Sequence, residues 1–136
     1  MKKRAIITGA NGQLGSAFVE ALTEKGYFVY AVDLNIEKIK SSENVQPVKL
    51  DITDETAVHN FFSSVQSLNV LINNAGIGVF TPFEDRTAAE FKKVMEVNLL
   101  GAFLMSQSSV KIMKNSDGGK IVNIASIYGS TSSDER

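Results

Sequence analysis

Eight consecutive residues, Thr8-Gly9-Ala10-Asn11-Gly12-Gln13-Leu14-Gly15, have the types and spacing of a phosphate cradle. Glycines at 9, 12 and 15 let the backbone turn sharply and approach a pyrophosphate, whose charge is then met by the free N–H groups of a helix start. Asn11, Gln13 and Leu14 belong to the same candidate site. Eighteen residues after Gly15 stands Asp33, at the end of the next apolar run. A carboxylate there can accept hydrogen bonds from the ribose hydroxyls of adenosine and would repel a 2′-phosphate. Neither Asn11 nor Leu34, the neighbours where a cation for that phosphate belongs, is basic, so NAD is expected ahead of NADP. Taken singly, the loop could be a plain tight turn and Asp33 a solvated carboxylate. Strand, glycine loop, helix, strand and acid in that order favour a dinucleotide.

Such a site needs a scaffold, and the pattern around it supplies one. Short β-branched runs near 4–8, 27–32, 45–50, 68–73 and 120–125 alternate with segments of helical period. That alternation predicts an α/β fold, a doubly wound parallel sheet of Rossmann type in the order 3-2-1-4-5. Leu14, Phe18, Ala21 and Leu22 mark the first helix, with Gly26 at its stop. Asp54 is a candidate N-cap for a helix carrying Val58, Phe61, Phe62 and Val65. Thr87 and Glu90 form a possible capping box opening one long helix towards Lys114. That helix reads as two apolar stripes, one through Phe91, Met95, Asn98, Ala102 and Met105, the other through Leu99, Phe103, Val110 and Met113. One stripe can cover the sheet, and the second implies a contact between subunits.

Composition narrows the alternatives. The 136 residues carry 14 basic and 15 acidic side chains and are 43% apolar, which fits one globular Rossmann domain over residues 1–136. Charge is not gathered into basic stripes, so neither nucleic acid nor an anionic membrane is an expected partner. No apolar run approaches the roughly 20 residues of a membrane helix. Without cysteine, and with His59 as the single histidine on a charged helical face, no metal site is expected and hydrolase triads lack a framework. The absence of cysteine and of an export signal makes the cytoplasm the default location.

Further elements resemble the short-chain dehydrogenase/reductase family: Leu50-Asp51-Ile52 after the third strand, Asn73-Asn74-Ala75-Gly76 after the fourth, Val97-Asn98 in the long helix and Ile121-Val122-Asn123-Ile124-Ala125-Ser126 at the fifth. The resemblance runs from Arg4 to about Gly129. It implies that Asp51 hydrogen-bonds the adenine amino group with the Ile52 backbone beside it. It implies that the Asn74-Ala75-Gly76 backbone passes the cofactor ribose, that Asn98 holds a water in a proton relay, and that Ser126 binds the substrate oxygen. Judged without the family, Asn98 would be a helix amide bonded to backbone and Ser126 an ordinary strand-end serine. The implied activity is hydride transfer between NAD and a small alcohol or carbonyl substrate.

The sequence departs from that family in its acid/base pair, a tyrosine followed four residues on by lysine. Tyr128 is two residues from Ser126 and its fourth neighbour is Ser132. An unperturbed phenol near pKa 10 is a poor base at neutral pH. The family also continues with two more strands, so the expectation is an N-terminal portion that is inactive alone. Glycines at intervals of three resemble the sugar-nucleotide branch of the family, whereas Asn-Asn-Ala-Gly resembles its classical branch. Ala125-Ser126-Ile127-Tyr128-Gly129 resembles oxidoreductases of surface-sugar pathways, which keeps an amino sugar among the substrates. The competing readings are a non-catalytic dinucleotide-binding module and a sugar-nucleotide-modifying enzyme of the same fold.

Overall fold

A computed structural model describes residues 2–126; Ile127, Tyr128, Gly129 and Ser132, singled out above, lie outside the described residues. Strand β1 (Arg4–Thr8) leads through α1 (Gln13–Glu24) to β2 (Phe28–Asp33), and β3 (Val45–Lys49) follows. Helix α2 (Glu55–Ser63) precedes β4 (Val70–Asn73). A 3₁₀ turn (Phe83–Asp85), α3 (Ala88–Met95), a π-helical turn (Glu96–Gly101) and α4 (Ala102–Met113) then lead to β5 (Lys120–Asn123). All pairings are parallel, in the order β3-β2-β1-β4-β5. The doubly wound sheet and its order therefore stand as read.

Alternation along β1 divides the core. Ile6 lies opposite Tyr30 and Leu71 and faces α2 and α4, with Val58, Phe62, Leu104 and Met105 in one buried cluster. Ala5 and Ile7 point the other way, with Val29, Ala31 and Ile72, against Phe18, Val19 and Leu22 of α1. Strands covered on both faces are nearly continuous apolar runs, as β1 and β2 are. Successive crossovers carry the chain from β1 out to β3 and then back across to β4. The direction of winding thus reverses between β1 and β4, and a crevice opens there at the carboxyl ends of the strands.

The expected caps form. The Asp54 side chain accepts from the Ala57 N–H, and Thr87 and Glu90 make a complete capping box. The long helix differs from its reading: it is broken by the π turn, and the two stripes are redistributed. Phe91 and Met95 of the first stripe are exposed, while Met113 of the second is buried. The outward row is Phe91, Met95, Leu99 and Phe103, spaced by four. An α-helix advances about 100° per residue, so that row would drift by about 120° across its length. A π turn inserts roughly one residue and takes up most of the drift. Strand β5 is an edge of the described sheet, with Val122 and Ile124 exposed. No helix among the described residues is long and apolar enough to cross a membrane.

Candidate nucleotide and active site

The crevice is built from the end of β1 outwards. Gly9 has φ +66°, a left-handed conformation that side chains disfavour, and a Cβ there would stand 2.9 Å from the Ala75 Cα. Gly15 is tighter still: its Cβ would lie 2.0 Å from the Gly9 carbonyl oxygen. These two glycines let the loop fold onto the start of α1 and against the loop after β4. Gly12 is the N-cap of α1 and has no side chain to cover the helix start. First-turn amides of a helix have no acceptor within it, which is what a phosphate needs of a helix start. Gly12, Gln13 and Leu14 are exposed accordingly.

Asp33 closes one side. Its Oδ2 accepts from the Asn11 N–H at 3.0 Å and its Oδ1 from the Asn35 N–H at 3.1 Å. The carboxylate is thus fixed against the glycine loop, and each oxygen retains a lone pair for a further donor. Asp51 is exposed, and its Oδ1 accepts from the Thr53 N–H and hydroxyl, at 2.9 and 2.7 Å. Its Oδ2 accepts no hydrogen bond among the described residues. On the far side, Thr8 Oγ1 accepts from the N–H groups of Asn74 and Ala75, both at 3.0 Å. The Asn74 amide donates to the carbonyls of Thr8 and Gly9. These bonds join the loop after β4 to the glycine loop.

Gly9, Asp33, Leu34, Asp51, Ile52, Ala75 and Gly76 line one cleft of about 150 Å³. A second cavity of about 640 Å³ lies across Ala75 and Gly76 and takes in Asn74 and Asn98. Asn98 sits in the π turn, where its Oδ1 accepts from the Ile77 N–H at 2.8 Å and its Nδ2 donates to the Ile77 carbonyl at 2.9 Å. It is therefore an amide bonded to backbone, but to the strand loop and not to its own helix. Asn73 supports the same region, its Nδ2 donating to Ser106 Oγ at 2.9 Å and Asn123 Oδ1 at 2.8 Å. Ser126 follows β5 by three residues, on the same carboxyl side of the sheet. Asn11 lines neither cavity; beyond its bond to Asp33 it borders, with Ala10, a groove of about 670 Å³ between α1 and residues 38–40. None of Gly9, Gly12, Gly15 and Asp33 lines that groove, whereas Gly9 and Asp33 line the narrower cleft at the strand ends, which is therefore the candidate nucleotide site.

Sequence reasoning did not single out Ile77 or Gly101, and it quoted Thr8 and Val97 within motifs without giving either a role. Thr8 carried a signal, as a hydroxyl at a buried strand end where two backbone amides need an acceptor. Among the described residues no group of three or more His, Cys, Asp or Glu is gathered to hold a metal.

The donor set fits a dinucleotide: a helix start without a side-chain cap for the phosphates, an anchored carboxylate for ribose hydroxyls and a close-packed backbone along the cleft. Comparison with known proteins agrees. An NAD-dependent glycerol dehydrogenase of Listeria innocua serovar 6a is 32% identical over 133 residues, 91% of this chain and 52% of that protein. A short chain dehydrogenase from Leptospira borgpetersenii, solved with bound NAD+, superposes with a TM-score of 0.89 at 38% identity, over 99% of this chain and 56% of that one. ElxO, solved with NADP bound, superposes with a TM-score of 0.87 at 30% identity, over 97% of this chain and 58% of that one. The chain spans about half the length of the curated relatives it matches. The family model for short chain dehydrogenase matches residues 3–135, and the chain belongs to that family.

Proposed function

We propose that the chain carries the cofactor-binding half of an NAD-dependent oxidoreductase acting on a small alcohol or its carbonyl counterpart. The observation that carries this reading is the Asp33 carboxylate, held by the Asn11 and Asn35 amides at the mouth of the glycine-loop cleft. Its negative charge favours the two ribose hydroxyls of NAD and opposes the 2′-phosphate of NADP. The cofactor would supply the hydride chemistry, as acceptor in its NAD+ form and as donor in its NADH form. Gly9, Gly12, Gln13, Leu14 and Gly15 hold its phosphates, and Asp33 and Leu34 hold the ribose. Asp51 and Ile52 flank the base, and the Asn74-Ala75-Gly76 backbone lies along the second ribose. Ser126 orients the substrate oxygen, and Asn98 keeps the loop after β4 in place for proton movement. An amino sugar would meet the amides of Asn73, Asn74, Asn98 and Asn123 in a cavity also lined by Leu99, Phe103 and Ile124. The exposed row Phe91, Met95, Leu99 and Phe103 serves a second copy of the chain. Lack of cysteine suits a cytoplasmic setting.

One sequence fact favours a second reading for the 136 residues by themselves: none of the three tyrosines is followed four residues later by lysine. They would then bind NAD without turning over substrate. The test is NADH formation with a panel of primary and secondary alcohols, run on the natural protein and on the 136-residue chain. Turnover by the natural protein supports the oxidoreductase. Binding without turnover in both leaves a dinucleotide-binding module.

A further inference from the structure

The π turn Glu96–Gly101 is pinned at two points, and each pin belongs to a loop lining the nucleotide cleft. One is Asn98, bonded to both backbone groups of Ile77 and lying 3.5 Å from where a Cβ on Gly76 would stand. The other is Gly101. A Cβ there would stand 2.6 Å from Ile52 Cδ1 and 2.7 Å from Cγ1. Gly101 and Ile52 are both buried. Rotating the end of Ile52 would move Cδ1 but leave Cγ1 in collision, and χ1 of a β-branched residue is stiff. The Ile52 side chain therefore occupies a notch that only glycine leaves in the helix. Ile52 also lines the cleft, as does Val97 of the π turn.

We propose that Ile52 and Gly101 form a knob-and-notch contact that sets the position of Asn98 relative to the nucleotide cleft. Gly101 is then a positioning residue, acting on Asn98 through the turn they share. A nucleotide seated against Ile52 presses on the turn that holds Asn98, so the two ends of the site move as one piece. This rests on the nucleotide reading of the cleft, and the experiment separates the two.

The measurement is a titration of the isotope-labelled chain with NAD, followed by NMR at the backbone amide of Ile52 and the side-chain amide of Asn98. In the wild type both signals are expected to move along one saturation curve. In Gly101→Ala the Asn98 signal should be displaced before any ligand is added, and NAD should bind about tenfold more weakly, because a packed core tolerates an added methyl group poorly. Adding Ile52→Ala to Gly101→Ala removes the collision, so the double variant should lie close to Ile52→Ala alone instead of showing the sum of both effects. Wild-type affinity and an undisplaced Asn98 signal in Gly101→Ala would overturn the proposal, as would simple additivity. If Gly101→Ala does not fold, Ile52→Ala decides: a vacated notch should abolish the Asn98 response to NAD, and a persisting response contradicts the contact. If the wild type binds no NAD, the nucleotide reading fails, while the ligand-free displacement and its reversal by Ile52→Ala still judge the contact.

Discussion

Asp33 and Gly15 show how much a single residue carries in this site. Asp33 holds two backbone amides and keeps a lone pair on each oxygen for a further donor, so on the proposed reading its replacement acts on loop and ligand together. Hydrogen bonds to a charged group contribute about 1.5–3 kcal/mol each. Asp33→Ser is expected to weaken NAD binding at least about tenfold and to narrow or invert the preference over NADP, read by calorimetric titration with each dinucleotide. Gly15 is constrained by its neighbour and not by its own backbone angle. With a Cβ placed 2.0 Å from the Gly9 oxygen, Gly15→Ala must push the glycine loop off the helix start. A cost at or above about 3 kcal/mol is expected, seen as a lower urea midpoint together with loss of NAD binding. The glycine loop and Asp33 were legible in the sequence because backbone turns and terminal acids are set by residue type at short spacing. The roles of Thr8, Ile77 and Gly101 were not, because they depend on which distant loop packs against each residue.

At the scale of elements, strands and caps were readable and the long helix was only half so. The Asp54 and Thr87 caps depend on residues three apart in the chain, which a sequence displays directly. Asp54→Ala should cost about 1 kcal/mol of stability, measured by chemical denaturation. The π turn escaped because the contacts that hold it, the hydrogen bonds between Asn98 and Ile77 and the packing of Ile52 against Gly101, come from elsewhere in the fold. Its trace was the spacing of four from Phe91 to Phe103, which an unbroken α-helix cannot keep on one side. The start of α3 also carries a pH response. Glu90 accepts from the Thr81 hydroxyl and from the N–H and hydroxyl of Thr87. These bonds, with a smaller contribution from the Arg86 charge, hold its carboxyl below the ordinary carboxylate range. A folded-state pKa lower than the unfolded one means a contribution that is complete above the unfolded value and lost as pH falls through the folded one. Glu90→Gln should therefore lower the urea midpoint at pH 7, and the difference from the wild type should shrink as the pH falls below the usual carboxylate range.

For the whole molecule, the order β3-β2-β1-β4-β5 matters most, because it opens the crevice between β1 and β4 where glycine loop, Asp33 and the loop after β4 converge. The outward row on α3, the π turn and α4 makes a molecular prediction too. Phe103→Glu and Leu99→Glu place charges on a row that is expected to meet a second copy, and should convert a dimer to a monomer in light scattering. A wild-type monomer at high concentration would contradict that contact. The most direct test of the central reading is calorimetric titration of the chain with NAD and, separately, NADP. Saturable one-to-one binding of NAD, tighter than NADP and weakened in Asp33→Ser, is the predicted result. No binding of either dinucleotide, or tighter binding of NADP, would contradict it.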